Sequence, residues 1–211
     1  MASSFKKLIM MANQIDDKPS LPKEYVQLEY LESTGTQYID TGFVPRDEAW
    51  VEIDAQKTSG NDAMLFYAPN TTFGSSTVRF QTNLYLTNQV YFRYGNSETS
   101  KYVFNTNYER HSYRIDHTNC YIDGINVLTH GNTASLDVYT RSTSLFSSIK
   151  PDGSLNIPFR GRVFGAKFGI GSMCSLKLIP ALRIADSKPG MYDLVSGQFF
   201  VNQGTGEFTY G

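Results

Sequence analysis

The feature that most constrains this chain is the alternation of apolar and polar residues over short stretches. In AWVEIDAQ (49–56), Val51, Ile53 and Ala55 alternate with polar residues, Glu52, Asp54 and Gln56. Because successive side chains of a β-strand point to opposite faces of the sheet, this pattern predicts a strand with one buried and one solvated face. The same alternation recurs in residues 77–81, 89–94, 111–116, 162–170 and 175–180.

Turn signals separate these stretches at short intervals, for example at Pro69-Asn70, Gly95-Asn96 and Pro151-Asp152-Gly153. Asp123-Gly124 lies inside the apolar segment CYIDGINVL and predicts a hairpin with a type I′ turn, whose two central residues need positive φ. Many short strands with few helical stretches predict an all-β sandwich or barrel with antiparallel pairing. Within residues 162–170, the alternation predicts one buried face, formed by Phe164, Ala166, Phe168 and Ile170.

Composition narrows the class of partner. The 211 residues carry a net charge of -1, with 18% charged and 14% aromatic residues. No cluster of Lys and Arg interleaved with aromatics is present, so neither a nucleic acid nor a phosphate backbone is an expected partner. Cys120 and Cys174 lack the C-x-x-C spacing of a zinc site, and we interpret both as buried free thiols in apolar strands.

The N-terminus differs from the rest of the chain. Residues 1–20 contain a basic pair followed by LIMMA, but this apolar run is shorter than the about 7 to 15 residues of a signal-peptide core. No stretch is long enough to span a bilayer, so we expect no signal peptide and no membrane partner. We predict an arm over 1–20, interpreted as an attachment segment, and one β-sandwich domain over 21–211.

Four segments of the chain together resemble a known group of domains. They are LEYLESTGTQYIDTGF (28–43), CYIDGINV (120–127), GRVFGAKF with SLKLIPAL (161–182), and GMYDLVSGQFFVNQGTGEFTYG (190–211). This combination is similar to concanavalin A-like (laminin G-like) jelly-roll domains of tail, fibre and capsid-associated proteins of bacteriophages and prophages, and of gut-bacterial surface proteins. The resemblance implies a concanavalin A-like jelly-roll sandwich of two antiparallel sheets, and a structural or recognition role.

The same architecture hosts glycoside hydrolases whose catalytic strand resembles E-I-D-x-E. Residues Glu52, Asp54 and Gln56 match this pattern except at the last position, where an amide replaces the acid/base carboxylate. Glycoside hydrolysis by the usual route needs two carboxylates, so we expect no enzymatic activity and no catalytic residue. Glu52 and Asp54 are then the solvated face of an ordinary strand.

Metal and cofactor sites have little support in the sequence. His111, His117 and His130 do not follow a metal-ligand spacing, and no cofactor motif is present. Related jelly rolls bind calcium with loop carboxylates, and the acidic residues near turns here are Asp40, Asp47, Asp62 and Asp152. Because no D-x-D-x-D-G loop occurs, the sequence leaves metal binding open. Trp50 and the tyrosines are candidates for a sugar-stacking platform, and the alternative is that they fill the core.

These observations predict a non-enzymatic virion protein, made in the host cytoplasm and assembled into a bacteriophage tail, fibre or capsid decoration. Its partners would be other virion proteins and host-surface glycans, and we expect a homo-oligomer or a place in a larger assembly. Loops 67–76, 95–100 and 147–158, rich in Asn, Ser, Thr and Gly, would make these contacts. The alternative is a lectin-like, carbohydrate-binding module of a bacterial surface or secreted protein.

Overall fold

A computed structural model describes residues 21–68, 79–86, 88–95, 100–105, 108–129, 135–137, 139–150 and 153–211. The arm predicted for residues 1–20 lies outside these ranges, as do His130, Asp152 and most of loop 67–76. The described part of the chain consists of strands joined by turns, and it contains no helix that could cross a membrane.

The strands are, in chain order, β1 (Tyr25–Gln27), β2 (Leu31–Ser33), β3 (Ile39–Asp40), β4 (Ala49–Ser59), β5 (Asp62–Ala68), β6 (Arg79–Tyr85), β7 (Gln89–Gly95), β8 (Ser100–Val103), β9 (Arg110–Asp116), β10 (Asn119–Ile122), β11 (Ile125–Thr129), β12 (Ser144–Leu145), β13 (Ser148–Ile149), β14 (Leu155–Asn156), β15 (Arg160–Ile170), β16 (Met173–Arg183), β17 (Lys188–Asp193), β18 (Phe199–Val201) and β19 (Thr209–Tyr210).

These strands form two large antiparallel sheets and a short ribbon. The larger sheet has the order β11-β10-β9-β4-β15-β16-β17-β18, with β1 paired to β16 and β2 paired to both β15 and β19. The smaller sheet has the order β3-β12-β5-β6-β7-β8, and β13 pairs with β14. The two sheets pack face to face around one apolar core, so the predicted all-β sandwich of antiparallel sheets is confirmed.

The core follows from the alternation in the sequence. On β4, Val51, Ile53 and Ala55 are at most 1% exposed, whereas the intervening Glu52 and Asp54 are half-buried on the outer face. The smaller sheet contributes large inner-face side chains, among them Phe66, Phe80, Phe92 and Tyr94. The predicted type I′ hairpin is also present, because Asp123 and Gly124 join β10 to β11 with φ values of 51° and 77°.

One predicted face is wrong at Phe164. The pairing of β15 with β4 shifts between Val163 and Gly165, so that Phe164 is the extra residue of a β-bulge. Val163 is therefore fully buried, and Phe164 is half-buried on the outer face, where its ring lies 5.7 Å from that of Tyr30. Beyond the bulge the prediction holds, since Ala166 and Phe168 are buried.

The segment LEYLESTGTQYIDTGF packs against the C-terminal end of the chain and is hydrogen-bonded to it. The side chain of Gln37, which is 2% exposed, accepts hydrogen bonds from the Ser33 hydroxyl and the Thr34 amide and donates one to the carbonyl of Glu207. A Cβ atom on Gly204 would lie 2.0 Å from the Thr36 carbonyl oxygen, so this close approach requires glycine. The acidic residues of the segment support the strand and its turn, because Glu32 pairs with Arg162 and Asp40 accepts the Gly42 amide.

Candidate functional site

The carboxylates of β4 lie on the outer face of the larger sheet, where basic side chains pair with them. Glu52 contacts Lys167 at 2.6 Å and Arg114 at 3.4 Å, and Asp54 accepts a hydrogen bond of 2.8 Å from Arg110. Burial raises the pKa of Glu52, but the hydrogen bonds and charges of Lys167 and Arg114 outweigh burial and lower it overall. A general acid needs the opposite shift, because it must hold its proton near neutral pH.

The aromatic side chains of this outer face are also engaged. Trp50 is 7% exposed, donates to the Gly171 carbonyl at 3.0 Å and is covered by the Arg114 guanidinium, 4.5 Å from its ring centroid. The Arg110 guanidinium lies in the same way over Phe164, at 3.9 Å. Trp50 therefore braces the sheet, and its ring face is not open for a sugar to stack on.

Those residues considered for metal binding that the structure describes do not come together. Asp47 accepts hydrogen bonds from Ser135 and the Leu136 amide, Asp62 accepts one from Asn83, and His111 contacts Asp123 at 2.7 Å. Over the described ranges, no group of three His, Cys, Asp or Glu side chains is placed to hold a metal ion. Each of these carboxylates supports a turn or a neighbouring strand.

Neither of the two cysteines, both among the described residues, forms a disulfide. Cys120 is fully buried, and burial raises its pKa. Cys174 is only half-buried and contacts the Leu176 carbonyl at 3.3 Å, so the predicted burial holds for Cys120 and only in part for Cys174.

Polar side chains form a row across the outer face of the smaller sheet. The strand pairing places five residues opposite one another in neighbouring strands, in the order Asp40, Ser144, Tyr67, Gln81 and Arg93. With a strand spacing of ~4.8 Å, the row extends over ~19 Å. The next residue of each strand belongs to the inner face and is buried, in the order Ile39, Leu145, Phe66, Thr82 and Phe92.

This polar row combines a carboxylate, a hydroxyl, a phenol, an amide and a guanidinium. Its amide, Gln81, is only 4% exposed. The neighbouring row along the strands adds Asn83, which is 7% exposed and bonds to Asp62, and Tyr91, whose hydroxyl donates to Gln89 at 3.0 Å. The Asn83 Oδ1 atom is buried and finds no hydrogen-bond partner among the described residues. Hydrogen-bonding groups are thus concentrated on one sheet face, where Ser144, Gln81 and Asn83 are buried and Asp40 is exposed.

The end of this row at Asp40 opens into a depression. Its volume is about 340 Å³, and its lining consists of Tyr38, Asp40, Thr140, Arg141, Ser142, Ser144 and Ile149. We call it the first depression. Arg141 is exposed there, and no carboxylate of the described residues forms an ion pair with it. Four other arginines do pair with carboxylates: Arg110, Arg114, Arg162 and Arg183. No described carboxylate therefore neutralises the exposed guanidinium of Arg141.

Two of the three predicted recognition loops leave the sheet beside the polar row. Tyr67 lies one residue before the end of β5, and Arg93 lies two residues before the end of β7, so both strands run from the row into these loops. The third loop, 147–158, contains the β13–β14 ribbon, and its Ile149 lines the first depression. The remaining parts of loops 67–76 and 95–100 lie outside the described residues.

Comparison with known proteins gives a structural likeness and no sequence family. No family model matches the chain, and no curated protein matches it. Among solved structures, the CBM40 module of the Ruminococcus gnavus IT-sialidase is similar in its complexes with α2,3 sialyllactose (TM-score 0.54, 14% identity) and α2,6 sialyllactose (0.53, 15%). A further structure of the same module gives a TM-score of 0.50 at 13% identity. Each comparison covers 70% of this chain and 94% of the module, and at this identity the likeness shows the fold alone.

Proposed function

We propose that this chain is a carbohydrate-binding module that takes an acidic glycan on the outer face of its smaller sheet. The observation that carries the proposal is the polar row from Arg93 to Asp40, which ends in a depression containing an arginine, Arg141, that pairs with no described carboxylate. Glycan hydroxyls both donate and accept hydrogen bonds, and the accessible members of the row, the exposed Asp40 and the half-buried Tyr67 and Arg93, offer polar groups to them.

The charge of the first depression indicates the acidic class of glycan. A guanidinium binds a carboxylate through two parallel hydrogen bonds, which makes arginine suited to a sugar acid. Beside Arg141, the hydroxyls of Thr140 and Ser142 can bond to ring substituents, and the half-buried Tyr38 offers an aromatic surface. The CBM40 structures with the same type of fold hold sialyllactose, an acidic glycan, and this supports the choice of ligand.

The comparisons favour the lectin-like alternative over the virion role that the sequence resemblance implies. None of the similar structures reported above is a virion protein. Placement on a bacteriophage particle stays a prediction, and in that setting the same site would bind a host-surface glycan. We propose a non-catalytic role in either setting, because Gln56 bonds to the Tyr108 carbonyl where an acid/base carboxylate would be needed, and Glu52 is held ionised by two cations.

The proposal is tested by titration calorimetry with α2,3 sialyllactose and with lactose, after a screen on an array of acidic and neutral glycans. We expect Arg141→Ala to weaken sialyllactose binding about tenfold or more, since a charge-assisted hydrogen bond contributes about 1.5–3 kcal/mol. The matched control is Arg110→Ala on the larger sheet, where Arg110 pairs with Asp54. This variant should bind as the unmodified protein does. The proposal fails if the array detects no glycan, or if Arg141→Ala binds sialyllactose with unchanged affinity.

A further inference from the structure

A second depression adjoins the first. Its volume is about 360 Å³, and it lies where β3, at the edge of the smaller sheet, meets β18, at the edge of the larger one. Its lining consists of Asp40, Gly42, Ser142, Gln198, Phe199, Phe200, Val201 and Gln203. Asp40 and Ser142 line both depressions, so the two adjoin at the edge strand β3, to which Asp40 belongs.

The walls of the second depression are held in place by direct backbone contacts. The Gln203 amide donates to the Tyr38 carbonyl at 2.9 Å, and the Tyr38 amide donates to the Asn202 side chain at 3.1 Å. Further along, the Thr205 amide donates to the Thr36 carbonyl at 3.0 Å. The C-terminal segment is therefore fixed against β3 without a ligand, and a preformed site loses little conformational entropy when it binds one.

The second depression differs from the first in its chemistry. It has no cationic lining residue, and its single charged side chain is the Asp40 carboxylate. The exposed side chains of Gln198 and Gln203 bring amide donors and acceptors, and Phe199 brings an aromatic ring. A carboxylate ligand would be repelled by Asp40 with no cation to compensate, whereas neutral hydroxyls can bond to both the amides and Asp40.

We infer that the second depression is a subsite for a neutral sugar, and that the ligand is an oligosaccharide that crosses β3. Its acidic residue lies at Arg141 in the first depression, and the neutral sugar joined to it lies against Gln198 and Gln203 in the second. This inference rests on the proposed function, since it extends the same glycan site beyond the sheet face to the C-terminal segment.

The test compares a one-residue ligand with a three-residue ligand by titration calorimetry. The probes are the methyl α-glycoside of N-acetylneuraminic acid and α2,3 sialyllactose. We expect the unmodified protein to bind sialyllactose about tenfold more tightly, which corresponds to one or two additional neutral hydrogen bonds. In the double variant Gln198→Ala, Gln203→Ala this advantage should disappear, while the affinity for the methyl glycoside stays unchanged. The control is Gln27→Ala, an exposed amide on β1.

The outcomes separate the inference from the function on which it rests. Equal affinities of the unmodified protein for the two probes would overturn the neutral-sugar subsite and leave acidic-glycan binding standing. The subsite would also be overturned if the double variant still bound sialyllactose about tenfold more tightly than the methyl glycoside. If neither probe nor any arrayed glycan binds, the proposed function itself is wrong, and the inference falls with it.

Discussion

Among single residues, Lys57 departs most from the sequence pattern. It continues the inner face of β4 after Ile53 and Ala55, and it is only 1% exposed. Its ammonium group donates to the carbonyl of Leu86, which directly follows β6 of the opposite sheet. Burial lowers the pKa of Lys57, and the nearby charge of Asp62 offsets this only in part. The alternation alone predicts an apolar residue here, so the lysine is a polar connection between the two sheets.

This buried lysine predicts a pH dependence of stability. Because the pKa of Lys57 is lower in the folded state than its ordinary value of 10.5, the unfolded chain binds more protons between the two values. The free energy of unfolding should therefore rise with pH in that window. Urea denaturation at intervals between about pH 7 and about pH 10 should show that the stability of the unmodified protein relative to Lys57→Met rises with pH. The comparison is relative because the buried Cys120 thiol, with its raised pKa, makes an opposite contribution in both proteins. Parallel curves for the two proteins would show that Lys57 is not the group responsible.

Among the strands, β15 shows what a β-bulge does to a predicted face. Phe164 and Phe168 are four residues apart, so in a regular strand both would face the core. The bulge instead turns Phe164 to the outer face, and only Phe168 is buried. We predict that Phe168→Ala lowers the free energy of unfolding by about 3–5 kcal/mol, the usual effect of a core cavity. Phe164→Ala should lower it by about 1–2 kcal/mol, through its contacts with Tyr30 and Arg110. Equal losses in urea denaturation would contradict the bulge.

The sequence predicts the strands more completely than the site, for a physical reason. Alternation within β4 and the Asp123-Gly124 turn are local, and both are confirmed. The bulge at Phe164 depends on the pairing with β4, and its one local signal is Gly165, which indicates a close backbone approach equally well. The polar row depends on the register of five strands, so no stretch of sequence contains it. The nearest local signal is YTRSTS (139–144), in which an arginine lies among hydroxyl residues.

In the whole molecule, the arginines near the two outer sheet faces differ in whether they pair with carboxylates. On the larger sheet, Arg110 and Arg114 each pair with a carboxylate and cover an aromatic ring, so acidic residues of the protein itself neutralise their charges. Beside the smaller sheet, Arg141 forms no ion pair with a described carboxylate. With a net charge of -1, the protein has no strong long-range field to attract an acidic ligand. The proposed recognition of an acidic glycan therefore depends on the contact at Arg141 itself.

This local charge predicts how salt affects binding. Arg141 is exposed, so its attraction for a carboxylate should be screened as the Debye length shortens. Raising NaCl from about 50 to about 500 mM should weaken α2,3 sialyllactose binding up to about fivefold, in line with the modest energy of an exposed ion pair. Lactose has no carboxylate, so its affinity should not change, and Arg141→Gln should remove the salt dependence for sialyllactose. A salt dependence that persists in Arg141→Gln would place the carboxylate at another cation, of which Arg93 in the polar row is the first to test.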